Sequence, residues 1–313
     1  MLFMFPGQGA QHSGMGYELC NQFQVARRTL EEAEDVLNLP IRDFCFDKVN
    51  KQQLNETANA QFSVFAVSVA AYRVLYEETG IVPQLSMGHS LGELTALTCA
   101  GAVDYQDMLV ILRERSKIIQ GHINKNNGTM MWVVNLNSQV VEDVCKEQQS
   151  KGLGVFISGI NSPEQVAISG ENGAMMKTAR KLERMGAIVY PLNMEGPFHS
   201  KYMQEAADEF KNILNQYSFK PFRYQVMSIM TALPYTGMEE IADTLSGCLA
   251  APVRWTDCIQ YAIDHDIHTA IEIGAKNILS FLMMKNTDKI ITCNVHVPSD
   301  LEKVRRLIQE HTA

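Results

Sequence analysis

The stretch Gly88-His89-Ser90-Leu91-Gly92 constrains this chain more than any other. A short strand, Pro83 to Met87, leads into it, and a helix-compatible stretch, Glu93 to Ala100, leaves it. A serine between a strand and a helix, with glycine on both sides, fits the sharp turn that lifts a nucleophile above a parallel sheet. Only small residues tolerate so tight a turn. The hydroxyl projects over the sheet end, and the first N–H groups of the new helix face whatever binds there. A chance glycine turn has the same five letters. The strand before and the helix after make Ser90 the candidate nucleophile.

The rest of the chain supplies a sheet for that turn. Leu2 to Phe5 is an apolar strand that runs into the loop Pro6-Gly7-Gln8-Gly9-Ala10-Gln11. The loop lacks the third glycine of a dinucleotide fingerprint and the Gly-Lys-Ser/Thr ending of a P-loop, so it is no phosphate cradle. It is well placed to offer a second oxyanion N–H to the serine turn. Residues 61–79 carry a helical pattern that stops at Gly80. Tyr224 to Met227 and Thr269 to Ile273 are further strands. Ahead of these two, in the middle of the chain, the pattern changes. Thr129–Val134, Gly154–Gly159, Gln165–Ser169 and Ala187–Leu192 read as strands, Gln139–Lys151 and Gly173–Met185 as helices, and Asn161-Ser162-Pro163 as the link between the middle strands. That order, β-α-β-β-α-β, is the split ferredoxin-like unit. The expected fold is α/β: a large α/β-hydrolase-like domain with a parallel sheet, residues 1–127 and 195–313, and an inserted ferredoxin-like small lobe, residues 128–194.

Composition narrows the function classes. Hydrophobic residues make up 46% and charged residues 20%, enough apolar surface to offset chain entropy. Lys and Arg total 27 against 35 Asp and Glu, so a nucleic-acid footprint is not expected. The longest apolar run is too short to span a bilayer, and the N-terminus has neither a basic region nor a cleavage motif. The seven cysteines are scattered, with no Cys-x-x-Cys. A cytoplasmic protein without disulfides or a zinc site is expected.

A nucleophilic serine needs a base. His199, in Gly196-Pro197-Phe198-His199-Ser200, directly follows the inserted lobe, where a cleft between two lobes would place it usefully. On pattern alone it is one candidate among several. No acidic residue stands out as its third partner; a backbone carbonyl suffices to fix the tautomer. His89 is expected to point away from Ser90 and hold the turn. In the helix around 106–120, Met108, Leu112, Arg115 and Ile119 form one stripe, which puts Arg115 on the buried face. A buried guanidinium requires an anionic partner or a set of carbonyls. It is either half of an internal ion pair or a clamp waiting for a substrate carboxylate, for which its two-pronged geometry is suited.

These pieces occur in a telling order: Pro6-Gly7-Gln8-Gly9-Ala10-Gln11, Gly88 to Glu93, Arg115, Asn161-Ser162-Pro163, Gly196 to Ser200 and Pro252-Val253-Arg254-Trp255. Together they resemble the malonyl-CoA:acyl carrier protein transacylases over nearly the whole chain. Gly-Pro-Phe-His-Ser-Lys-Tyr-Met, with Thr231-Ala232-Leu233-Pro234-Tyr235 downstream, is most similar to the free-standing acyltransferases of polyketide synthases. The chain departs from the usual family pattern at Ala60-Gln61-Phe62-Ser63, at Ser116 after Arg115, at Gly274-Ala275-Lys276-Asn277 and at Ile229-Met230.

The resemblance implies that Ser90 takes the acyl group from coenzyme A, with His199 as general base and then acid. It implies an oxyanion hole from the backbone N–H groups of Gln11 and Leu91, and Arg115 paired with the malonyl carboxylate. Phe198, Gln61 and Asn161 would complete the substrate site, and the carbonyl of Arg254 would orient His199. Phe198 and Leu91 resemble the malonyl-selective rather than the methylmalonyl-selective pattern. The implied reaction is ping-pong S-malonyl transfer to the phosphopantetheine arm of an acyl carrier protein, for polyketide or fatty acid synthesis, with no metal or redox cofactor. Malonyl-CoA and the carrier protein are the implied partners, with a polyketide synthase as a further one; nucleic acid and membrane are not. Lys117, Lys201, Arg223 and Arg254 are candidates for a cationic patch facing an acidic carrier. The rival is an acyl hydrolase on the same fold, which strips acyl groups from carrier proteins with water as acceptor. It needs no carboxylate clamp, so Arg115 favours the transferase.

Overall fold

The computed structural model describes residues 1–123 and 127–312. Its ten strands are β1 (Leu2–Phe5), β2 (Leu85–Gly88), β3 (Gly128–Val134), β4 (Val155–Ser162), β5 (Gln165–Glu171), β6 (Ile188–Glu195), β7 (Gln225–Ser228), β8 (Leu233–Pro234), β9 (Thr269–Ile273) and β10 (Ile291–Val295). They form two sheets. The larger has the order β10-β9-β1-β2-β7-β8, parallel throughout except for the β7–β8 pair. The smaller is antiparallel, in the order β4-β5-β3-β6.

The large sheet is covered on both faces, which is why its central strand β1 is buried and apolar throughout. Phe3 and Phe5 point into one core with Phe65, Leu75 and Leu112. Leu2 and Met4, a half-period out of step, point into the other with Met87, Trp255 and Ile259. The helix Thr57–Thr79 crosses the first face and is buried on nearly every side. It ends where Gly80 takes a left-handed φ of 65°, a conformation that glycine adopts without penalty. The small sheet has a core of its own, with Val133, Val155, Val166 and Ile168 packed against Val141, Val144, Met175 and Leu182 of its two helices, Ser138–Ser150 and Asn172–Arg184.

Two strands escape the sequence pattern. β8 has only two residues, and β10 is an edge strand whose first four residues are exposed or half-buried, so neither makes an apolar run. Asn161 and Ser162 are not a link between strands, as their turn-forming character suggested. They complete β4, and the turn narrows to Pro163 and Glu164. This matters for the site, because the end of β4 is stitched to the large sheet's side of the molecule. Val253 N–H donates to Ser158 O at 2.9 Å, Ile160 N–H donates to Val253 O at 2.9 Å, and Asn286 Nδ2 donates to Asn161 O at 2.7 Å. No helix among the described residues is long and apolar enough to cross a membrane.

Candidate active site

β2 stops at Gly88, and the helix Leu91–Cys99 begins one residue after Ser90. Ser90 makes that turn at φ 54°, ψ −109°, a backbone conformation that a non-glycine residue holds only under constraint. Its neighbours show the constraint. A Cβ on Gly92 would lie 2.0 Å from the Phe5 carbonyl oxygen, and one on Gly88 would lie 1.9 Å from the Gly92 carbonyl carbon. The loop after β1 is pressed on the same turn, since a Cβ on Gly7 would meet the His89 oxygen at 2.3 Å. Of the expected oxyanion donors, Leu91 follows Ser90 at the helix start, and Gln11, from the loop after β1, lines the same cleft as Ser90. Leu91 is the first helical residue, so its N–H has no acceptor within the helix.

Ser90 Oγ lies 2.9 Å from His199 Nε2. His199 is buried and also has a left-handed φ, 56°. Its Nδ1 faces two carbonyl oxygens, Cys248 O at 2.7 Å and Ala251 O at 3.2 Å. A carbonyl only accepts, so Nδ1 carries the hydrogen and Nε2 presents its lone pair to the serine. Burial pushes the His199 pKa down to about 4; the nearby His89 and Arg115 charges add to the effect, and the two carbonyls oppose it. The imidazole is thus neutral at physiological pH, the form a general base requires. The expected orienting carbonyl, that of Arg254, is not the one used. It starts the helix Trp255–Asp264 and accepts the Cys258 N–H at 3.0 Å, while the Arg254 side chain binds Asp257 and the Thr231 carbonyl. The acceptors come instead from the chain just before it, at the end of the helix Ile241–Gly247.

Arg115 is buried within the helix Tyr105–Ile123, as its stripe requires. Its Nη1 donates to Gln61 Oε1 at 2.7 Å, and no carboxylate among the described residues pairs with it. Among the described residues, the internal ion pair is therefore absent. Burial lowers its pKa to about 10, which leaves it charged at neutral pH. Gln61 Nε2 donates in turn to Gln8 Oε1 at 3.0 Å. Gln8 lines a cleft of about 530 Å³ together with Gln11, Ser90, Asn161, His199 and Lys276. Arg115 and Gln61 do not line it themselves; they stand one layer back, joined to its wall through Gln8. Phe198 is packed into the large core and is not part of the cleft wall. Asn161 Oδ1 accepts from His89 Nε2 at 2.8 Å, so His89 turns away from the serine toward β4, with its ring against Trp255. Of the expected cationic residues, Lys117 pairs with Glu114, Arg254 with Asp257, and Arg223 closes the end of a helix on the Cys99 carbonyl. Lys201 lies over the Phe156 ring, and Lys276, not singled out from the sequence, is the lysine in the cleft.

A family model described as the acyl transferase domain matches residues 2–304. The chain belongs to that family. It is 37% identical over 301 residues to a malonyl CoA-acyl carrier protein transacylase of Bacillus subtilis, covering 96% of this chain and 75% of the relative. It is 33% identical over 283 residues to a polyketide biosynthesis malonyl CoA-acyl carrier protein transacylase of Bacillus subtilis strain 168, covering 90% of this chain and 95% of the relative. Among solved structures, a malonyl-transacylase in complex with its type II polyketide synthase acyl carrier protein superposes with a TM-score of 0.94 at 30% identity, covering 98% of this chain and 99% of that one.

This acyl transferase also holds polar residues near the dyad that the sequence did not mark as functional. Glu93, three residues after the serine, is wholly buried; Tyr235 Oη donates to its Oε1 at 2.6 Å, and Cys248 Sγ lies 3.2 Å from its Oε2. Burial pushes its pKa up to about 7, against the pull of its bonds from Tyr235, Cys248, Ile229 and Ser228. An acidic residue in the first turn of an otherwise apolar helix was the available signal.

Proposed function

We propose that this acyl transferase moves a malonyl group from coenzyme A to the phosphopantetheine thiol of an acyl carrier protein, in polyketide or fatty acid synthesis, through an acyl-enzyme on Ser90. The observation that carries the choice of acyl group is Arg115: a buried, charged guanidinium near the base, held by a neutral amide and lacking a carboxylate of its own. A diacid thioester supplies that carboxylate, and an acetyl group does not. The pairing also disfavours a hydrolase, which has no use for such a group.

The chemistry follows from the dyad. Ser90 Oγ attacks the thioester carbonyl as its proton passes to His199 Nε2. The Gln11 and Leu91 N–H groups receive the developing oxyanion. Collapse expels the coenzyme A sulfur, which takes the proton from His199. The carrier's thiol then attacks the malonyl ester while giving its proton to His199, and that proton returns to Ser90 as the ester breaks. The carbonyls of Cys248 and Ala251 fix the imidazole and favour its transient cation. Asn161 holds His89 under the turn, and Gln61 presents Arg115.

In the same reading the chain divides into a large α/β-hydrolase-like domain, residues 1–127 and 195–313, and a ferredoxin-like lobe, residues 128–194; residues 124–126 and 313 of that division lie outside the described ones. The serine turn above a parallel sheet supports the first. The antiparallel order β4-β5-β3-β6 with two helices on one face supports the second. Seven free thiols suit a reducing cytoplasm, where coenzyme A thioesters are made. The test is intact-mass analysis after incubation with malonyl-CoA, then with a carrier protein bearing its arm. A malonyl adduct that is absent from Ser90→Ala and passes to the carrier is expected. Free malonate with no loaded carrier would favour the hydrolase.

A further inference from the structure

The dyad is part of a closed circuit. From Ser90 Oγ the path runs through the His199 ring to the Cys248 carbonyl at 2.7 Å, and through the Cys248 residue to its thiol, 3.2 Å from Glu93 Oε2. From Glu93 it returns by that residue's own N–H, which donates to Ser90 O at 3.0 Å. The other carboxyl oxygen accepts from Tyr235 Oη, so both arms of the carboxyl are anchored. Cys248 ends a short helix, and its carbonyl has no further turn to bond within. Its peptide is held on one side by backbone bonds, Cys248 N–H to Thr244 O at 3.1 Å and Leu249 N–H to Ser246 O at 3.0 Å, and its thiol adds the one hold that reaches the nucleophile's helix, through Glu93.

We propose that Glu93 is a positioning residue for acyl transfer: its carboxyl fastens Cys248 to the nucleophile's own helix, and so holds the carbonyl that keeps His199 in the tautomer able to accept the Ser90 proton. A hydrocarbon side chain would fill the same space without the cost of burying a carboxyl, but would give the thiol and the phenol nothing to bond to. Glu93 touches neither substrate nor the reacting atoms. It acts through Cys248, and the inference rests on the transfer reading given above.

The test compares Glu93→Gln and Tyr235→Phe with the unaltered chain in single-turnover acylation by malonyl-CoA, followed by intact mass over a range of concentrations. The expected result is a fall of about tenfold or more in the acylation rate constant for Glu93→Gln and a smaller fall for Tyr235→Phe, with half-saturation by malonyl-CoA unchanged within about twofold. A residue that merely stabilised the fold would lower the melting temperature and leave the rate constant of the folded fraction alone. Rate constants equal to that of the unaltered chain overturn the proposal. If Glu93→Gln does not fold, Tyr235→Phe decides on the same terms. Nitrogen NMR of His199 without substrate reads the tautomer directly: loss of the Nδ1–H population in the variants supports the proposal, and an unchanged population overturns it. Failure of the unaltered chain to acquire a malonyl group would instead sink the transfer reading, and the NMR measurement would still judge Glu93.

Discussion

Arg115 donates to the side-chain oxygen of Gln61 at 2.7 Å and to no carboxylate among the described residues. The amide orients the guanidinium without neutralising it. In the proposed reading, the rest of its fork serves the carboxylate of the incoming acyl group.

On the proposed reading, replacing Arg115 by Ala removes a reward that only a diacid collects. Malonyl loading of Ser90 should fall by about 100-fold, or about 2.7 kcal/mol, while acetyl loading falls much less. Competition between malonyl-CoA and acetyl-CoA, scored by intact mass, measures the ratio. An unchanged ratio would mean that Arg115 serves only the fold.

Gln61→Ala should act in the same direction but more weakly, about tenfold, since the charge stays and only its orientation loosens. Steady-state transfer at several malonyl-CoA concentrations checks this. The loss is expected in KM rather than in kcat, because orienting Arg115 serves the bound ground state as well as the transition state.

How legible all this was depended on the range of the interaction involved. β1, the serine turn and the Arg115 stripe are local: an apolar run, a pair of glycines and a helical period each show in fewer than about 15 residues. The pairing of His199 with Ser90 spans 109 positions and became readable only through the family resemblance. The acceptors for His199 are Cys248 and Ala251 rather than Arg254 because a motif marks a neighbourhood, not the carbonyls beside it that a following helix leaves unused. Lys276 was passed over for four other basic residues because nothing in the sequence tells which cations find a local carboxylate. Glu93 was visible as a letter in a motif, but its role depends on Tyr235 and Cys248, which lie 142 and 155 positions away.

The pH dependence of acylation tests the environment of His199. Because burial lowers its pKa to about 4, the imidazole stays unprotonated well below the ordinary histidine range. The catalytic rate should hold level as pH falls from 8 to about 5, and decline only as the solution approaches the folded-state pKa. Log kcat/KM for the free enzyme measures this directly. A decline centred near about 6.5, the value of a solvated imidazole, that persists in Glu93→Gln would mean that water reaches the dyad in solution, whereas one lost in that variant would report Glu93, whose pKa burial pushes up to about 7.

The last prediction separates glycines that the site needs from one that it does not. Gly92→Ala places a methyl group 2.0 Å from the Phe5 carbonyl oxygen, a backbone atom that cannot swing aside. Either β1 or the helix carrying Ser90 must move, and overpacking of this kind typically costs about 1–3 kcal/mol. Gly121, in the helix that carries Arg115, has no atom within 4 Å of where its Cβ would lie, so Gly121→Ala should be neutral or raise stability by up to about 1 kcal/mol, as alanine does in a helix interior. Thermal unfolding should therefore come at a lower temperature for Gly92→Ala and at an unchanged or higher one for Gly121→Ala. The displaced serine turn also predicts that Gly92→Ala loses acylation even at temperatures where it is folded, whereas Gly121→Ala keeps it. Full activity in a stable Gly92→Ala protein would show that the turn has more room than this contact allows.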